Sequence, residues 1–184
     1  MIRTFIAVPL PDPLRDVLSD TIFRLRALYP QVRWVRPESI HLTLKFLGNI
    51  AEDMVDGIAR GLDDIVRDYP CLDLSLKGLG VFPNKRRPRV IWVGFQGDID
   101  VLADLALRLD KMCAGFGIKM ESRPFSAHLT LGRLKRPTMI DSGLDIEEID
   151  LFAREVFLYK SELLRGGARY TILHKSYLGC KGEE

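Results

Sequence analysis

Two six-residue stretches hold the side chains best suited to chemistry: Ser39-Ile40-His41-Leu42-Thr43-Leu44 and Ser126-Ala127-His128-Leu129-Thr130-Leu131. Between them they carry two of the three histidines in the chain. A strand projects alternate side chains to opposite faces, so each stretch sets its His and Thr on one face and its two leucines on the other. An imidazole near its ordinary pKa of about 6.5 takes or gives a proton at neutral pH, so two of them on opposite sides of a bond supply both base and acid. Cleavage of a phosphodiester uses such a pair: one group deprotonates the attacking water or hydroxyl, and the other protonates the departing oxygen. Thr43 and Thr130 would aim hydroxyls at the non-bridging oxygens, where charge builds up. The two pairs are therefore expected to face each other across a cleft and to handle one phosphate between them. This chemistry needs no metal or other cofactor, and no Asp, Glu or Cys stands at ligand spacing beside either histidine, which makes a zinc site a poor fit.

Other residues near the two stretches are weaker candidates. Lys45 shares the face of His41 and Thr43 by the period of two and could reach the phosphate, although a lysine at a strand end is usually only solvated. Arg133 breaks that period, because Gly132 holds the expected place, but an irregularity after Leu131 would swing it into the cleft as a substrate ligand. Lys85, Arg86, Arg87 and Arg89 form a basic loop that either tracks RNA phosphates or is a soluble hairpin tip. Trp34, Phe46 and Phe125 could stack a base, with core packing the favoured reading. His174 has no partner motif and reads as structural.

The elements that must position these residues recur along the chain. Sliding the sequence by the 87 residues that separate His41 from His128 lays Phe5 on Trp92, Val8 on Phe95, Leu14 on Val101, Leu18 on Leu105 and Pro37 on Pro124. In each copy a β-branched or aromatic strand leads to an amphipathic helix, an extended segment and the His-Leu-Thr-Leu strand. The first helix is expected to open with Asp12 as N-cap and Pro13 at its first position. The first motif strand should end near Leu47, with Gly48-Asn49 as a turn. A second helix should begin at Glu52 and Asp53 and stop before Tyr69-Pro70. Strands are expected at Leu72 to Phe82, Val90 to Phe95, Val156 to Tyr159 and Arg169 to Leu178, with a polar turn region between Arg133 and Asp150. An ungapped echo of this kind predicts two copies of one unit, approximately residues 4–47 and 91–134, related by an approximate twofold axis within a single bilobal domain over residues 1–184. The fold class is α+β, each lobe a mainly antiparallel sheet flanked by helices, with the cleft between the lobes.

Composition narrows the setting. With 47% hydrophobic and 28% charged residues the chain is an ordinary globular protein, and a net charge of +2 is too small to argue for nucleic acid without local patches. Cys71, Cys113 and Cys180 are widely spaced and odd in number, which predicts free thiols in a reducing cytosol. The apolar opening Ile6-Ala7-Val8-Pro9-Leu10 is broken by proline and reads neither as a signal peptide nor as a membrane span. A cytoplasmic protein without membrane attachment, and a monomer, is the expectation.

The paired His-x-Thr-x motifs, in this order and at this separation, resemble the two-histidine (2H) phosphoesterases, and within them the RNA 2′,3′-cyclic phosphodiesterase or 2′-5′ RNA ligase branch. The resemblance extends over Arg3-Thr4-Phe5-Ile6-Ala7, Trp34-Val35, His41 to Gly48, the arginine-rich segment before Val90-Ile91-Trp92, Phe125 to Arg133 and Ser161 to Tyr170. It implies a central water-filled cleft and metal-independent hydrolysis of 2′,3′-cyclic phosphates, on RNA ends or nucleotides, to 2′-phosphates. By the same resemblance His41 corresponds to the proton donor to the 3′ oxygen, His128 to the acceptor that activates water, and Thr43 and Thr130 to phosphate ligands. The reverse reaction, joining RNA ends through a 2′-5′ bond, would use the same groups. Two other readings stay open at this point: a module that binds RNA ends, and a hydrolase of small cyclic nucleotides.

Overall fold

The computed structural model describes residues 1–136, 138, 140, 146–164 and 167–180. Much of the polar region expected after Arg133 lies outside the described residues. Among those described, nine strands and three α-helices follow in order: β1 (Ile2–Val8), α1 (Asp12–Leu28), β2 (Arg33–Trp34), β3 (Leu42–Ile50), α2 (Val55–Val66), β4 (Leu72–Phe82), β5 (Val90–Gly97), α3 (Ile99–Gly115), β6 (His128–Arg133), β7 (Asp150–Ala153), β8 (Glu155–Leu164) and β9 (Gly167–Tyr177). They form a four-stranded sheet of order β3-β1-β8-β9 and a five-stranded sheet of order β2-β6-β5-β4-β7, with every pairing antiparallel. Helices α1 and α3 have 17 residues each and begin 87 positions apart, at Asp12 and Ile99.

Each helix buries one stripe against the backs of the sheets. Leu14, Leu18, Ile22 and Leu25 of α1 and Leu102, Leu105, Leu109 and Cys113 of α3 recur at three- and four-residue spacing and enter one common core. The glycines of α2 set how closely α3 approaches. A methyl group at Gly57 would meet the Phe116 ring at 2.8 Å, and one at Gly61 would meet the Met112 sulfur at 2.9 Å.

Three local expectations are corrected. Asp12 is the first residue of α1, and Pro11 occupies the cap position, because two prolines already fix the entry of the chain. The first motif strand does not turn at Gly48; β3 runs on to Ile50, and Gly48 takes a φ of 74° at an irregularity in its pairing with β1. Cys71 and Cys180 are not free thiols but a disulfide, with Cα atoms 4.8 Å apart. They are 109 residues apart in sequence, so no local pattern links them. They meet because the chain after β9 runs alongside the start of β4, where the Gly179 amide donates to the Tyr69 carbonyl at 2.8 Å. Cys113 remains a buried thiol, and burial pushes its pKa up to about 11.

The two motif strands are the places where the sheets meet. β3 packs against β6, and the segment leading to each histidine braces the opposite strand. β2, on the way to His41, pairs with the end of β6 (Arg33 with Arg133, Trp34 with Gly132), and the Val35 amide donates to the Leu131 carbonyl at 2.8 Å. Reciprocally, the Lys119 carbonyl and the Glu121 carboxylate, on the way to His128, accept from the Lys45 ammonium of β3 at 2.8 and 3.3 Å.

Candidate active site

His41 stands just before β3 and His128 opens β6. Both are half-buried, and both make the same local bond: Nδ1 of His41 donates to the Ser39 carbonyl at 3.0 Å, and Nδ1 of His128 to the Ser126 carbonyl at 2.7 Å. A carbonyl can only accept, so Nδ1 carries the proton in each neutral ring and Nε2 presents its lone pair. The serine two residues ahead of each histidine thus sets tautomer and ring orientation through its backbone.

Aromatic rings complete the two walls. The His41 ring stacks on Phe5, with centroids 4.4 Å apart, and meets Tyr170 edge-on at 5.1 Å. Phe5 in turn stacks on Tyr159 at 5.1 Å. His128 meets Phe82 edge-on at 5.1 Å and Trp92 at 6.3 Å. Phe5 and Trp92 are the residues that the 87-position shift superposes, so each histidine rests on a ring from the neighbouring strand. Burial beside these rings is the largest influence on His41 and lowers its pKa from 6.5 to about 4, against the upward pull of the Ser39 carbonyl and with a smaller downward push from Arg15.

One pairing irregularity decides what else reaches the histidine face. Ala7 pairs with Thr43 but Ile6 with Lys45, which leaves Leu44 as an extra residue; Trp92 pairs with Thr130 but Ile91 with Gly132, which leaves Leu131 as its counterpart. A bulge of this kind reverses the alternation beyond it. Thr43 and Thr130 keep the face of their histidines and are half-buried. Lys45, expected there, is turned away: it is 2% exposed and forms an ion pair with Asp110 of α3 at 2.7 Å, so it is not a phosphate ligand. Phe46, which sequence reasoning favoured for the core, is 53% exposed and lies 6.0 Å from the Phe5 ring. Arg133 occupies the equivalent place on β6, is exposed, and bears electrostatically on Tyr170 of the other sheet. Trp34 and Phe125 pack partly against the core, as favoured, and the Trp34 Nε1 donates to the Tyr29 carbonyl at 3.3 Å.

Phe5, Tyr159, Tyr170, Phe82 and Trp92 were not singled out from sequence as neighbours of the histidines. The repeat offset held the signal for Phe5 and Trp92; nothing local marks Tyr159 or Tyr170, which arrive through the pairing of β8 and β9. Beside His41 a depression of about 440 Å³ is lined by Arg36, Glu38, Ser39, Leu164, Arg169 and Tyr170, among others. His174 stands apart from the site; its Nε2 and the Ser176 hydroxyl both bond Asp63, at 2.9 and 2.5 Å, which ties β9 to α2. Among the described residues no group of three or more His, Cys, Asp or Glu side chains could hold a metal ion, and no helix is long and apolar enough to cross a membrane.

The model of the LigT-like phosphoesterase family matches residues 8–92 and 94–170, a span that takes in both histidines. The chain belongs to this family, within the two-histidine phosphoesterases. It is 36% identical to the RNA 2′,3′-cyclic phosphodiesterase of Methanothermobacter thermautotrophicus over 92% of this chain and 95% of the relative. Among solved structures, the protein TT0787 of Thermus thermophilus superposes with a TM-score of 0.80 at 27% identity, covering 98% of this chain and all of the other. The complex of E. coli LigT with 3′-AMP gives the same TM-score at 27% identity, covering 96% and 98%. The α+β, two-lobed architecture of this LigT-like phosphoesterase is that of these neighbours.

The His41 titration is directly measurable. In the free protein the NMR midpoint of its ring is expected near pH 4, and it should rise when inorganic phosphate occupies the site. A free-protein midpoint at about 6.5, the ordinary value, that phosphate leaves unmoved would contradict the burial argument.

Proposed function

We propose that this LigT-like phosphoesterase hydrolyses 2′,3′-cyclic phosphate termini of RNA to 2′-phosphates, with His41 as proton donor to the departing 3′ oxygen and His128 as acceptor of the proton from water. Thr43 and Thr130 hold the non-bridging oxygens, and Arg133 is a further substrate ligand. The observation that carries this reading is the duplicated His-Thr face: two imidazoles whose Nε2 atoms are both free of their backbone bond, on the two strands through which the sheets meet. The names borne by relatives at 28–36% identity over most of the chain support the substrate.

A donor must carry a proton, and the depressed pKa of His41 leaves it neutral in the free site at pH 7. The substrate itself supplies the remedy. A phosphate anion about 4 Å from an imidazolium contributes roughly 4 kcal/mol at an effective dielectric near 20, which corresponds to about three pKa units. Binding of the cyclic phosphate thus favours the charged form of His41, the form that a proton donor needs. The same groups could join a 2′,3′-cyclic phosphate end to a 5′ hydroxyl through a 2′-5′ bond: His128 takes the hydroxyl proton, the 5′ oxygen bonds to phosphorus, and the 3′ oxygen leaves with a proton from His41.

The test is incubation of the purified protein, in excess EDTA, with a short RNA ending in a 2′,3′-cyclic phosphate. Ring opening to a 2′-phosphate is expected. A 3′-phosphate product would reverse which oxygen leaves and with it the two roles, and turnover abolished by EDTA would remove the metal-independent mechanism.

A further inference from the structure

Charge is segregated in this chain far more sharply than its net +2 suggests. Residues 74–97 contain no Asp or Glu and five Lys or Arg; residues 122–140 contain no Asp or Glu and four Lys or Arg. The fold brings the two stretches together. The loop between β4 and β5 carries Lys85, Arg86, Arg87 and Arg89, all exposed, and the chain leaving β6 carries exposed Lys135 and Arg136. The Arg89 guanidinium donates to the Lys135 carbonyl at 2.7 Å, and the Leu134 amide donates to the Arg89 carbonyl at 2.9 Å.

The loop is built as an ordered feature. Asn84 accepts from the amides of Arg86 and Arg87, both at 3.1 Å, and Pro88 is buried beneath it. Among the described residues none of these six cations pairs with a carboxylate. A hairpin tip that served only solubility would mix both signs, as the protein's other exposed ion pairs do. The rim also begins at the active site: Phe82, whose ring touches His128, is the residue from which the loop departs.

We propose that this rim carries the phosphates of the RNA strand leading up to the terminal cyclic phosphate, so that the enzyme favours a polynucleotide end over a mononucleotide. The inference rests on the proposed function for the identity of the terminal group. Cations of a single sign, without a carboxylate partner among the described residues and carried on a backbone that Asn84 and Arg89 hold in place, lead away from the catalytic face and match a chain of regularly spaced single charges. Backbone contacts of this kind add affinity without reading sequence.

The experiment compares wild type with a Lys85→Gln/Arg86→Gln/Arg87→Gln variant on two probes: a ten-nucleotide RNA ending in a 2′,3′-cyclic phosphate, and adenosine 2′,3′-cyclic phosphate. All three side chains are exposed, so an unchanged melting temperature is expected. On the decamer kcat/KM should fall about tenfold at low salt, and the slope of its logarithm against log salt should become shallower by about two, at roughly 0.7 per phosphate contact. On the mononucleotide it should stay within about twofold. An equal fall on both probes, or no fall on either, overturns the proposal; in the second case the rim would serve some other polyanion, such as an acidic protein. If wild type turns over neither probe, the proposed function fails instead, and anisotropy of a labelled, non-cyclic decamer still decides the rim: the variant should bind about tenfold more weakly, and equal binding overturns it.

Discussion

Alanine at His128 is expected to lower kcat on a cyclic-phosphate RNA by about a thousandfold, within the range of roughly 10² to 10⁴ that a positioned acid or base contributes. Alanine at His41 does the same on that substrate, yet the two variants part company when the leaving group changes. A p-nitrophenyl phosphodiester departs without needing a proton, so the His41→Ala enzyme should approach wild type on it while the His128→Ala enzyme stays impaired. If both variants respond alike, the division into donor and acceptor is wrong. The double variant should be little worse than either single one, because the two groups act as a unit. His41 also links activity to stability. Its folded value near 4 lies below the unfolded value of about 6.5, so between those pH values the unfolded chain binds more protons and stability falls as pH drops through that window. At about 1.4 kcal/mol per unit, the contribution lost on acidification is roughly 3.5 kcal/mol, and the His41→Ala protein should lack this part of the acid sensitivity.

The second large effect lies away from the phosphate. Lys45→Ala leaves Asp110, itself 6% exposed, as an unpaired buried carboxylate, a change that typically costs about 3–5 kcal/mol. Burial works against the Lys45 charge, but the hydrogen bonds and charges of Asp110 and Glu121 outweigh it and hold the pKa above its ordinary value. The melting temperature of the variant should drop by about 10 °C, on a scale of roughly 2–4 °C per kcal/mol for a chain of this size. A Lys45→Met/Asp110→Leu double variant should recover much of the loss, since removing both partners leaves no orphaned charge. A melting temperature unchanged in Lys45→Ala would show that the pair contributes nothing. The ion pair also fastens the first motif strand to the helix and segment that lead to the second, so kcat should suffer in the single variant even below its melting temperature.

Much of the site was legible in the sequence because its chemistry rides on a repeat. His41, Thr43, His128 and Thr130 could be assigned to one face from a period of two, and α1 and α3 from the spacing of their leucines. What escaped notice depends on single-residue irregularities and on contacts between distant strands. Plain alternation misplaces Lys45, because no residue type announces the bulge and Leu44 looks like any other strand leucine. Arg133 could be placed only conditionally for the same reason. Tyr170 and the Cys71–Cys180 pair are tertiary facts, set by where β9 comes to rest. An aromatic in a strand usually belongs to the core, yet Phe46 lies past the bulge, where its strand has already changed face.

The paired bulges also divide each motif strand into a part the two share and a part of its own. Up to Leu44 and Leu131 the two motif strands carry the same residue types, a His and a Thr, on one face. Beyond them each strand turns a different residue to that face, a benzene ring in one half and a guanidinium in the other. Two histidine faces alike in residue type thereby acquire unlike borders, one aromatic and one cationic. Removing the extra leucine at either bulge would restore plain alternation and leave Phe46 and Arg133 on the face they already hold, whereas flattening the bulge with its leucine kept would exchange inside for outside and present Lys45 or Gly132 there.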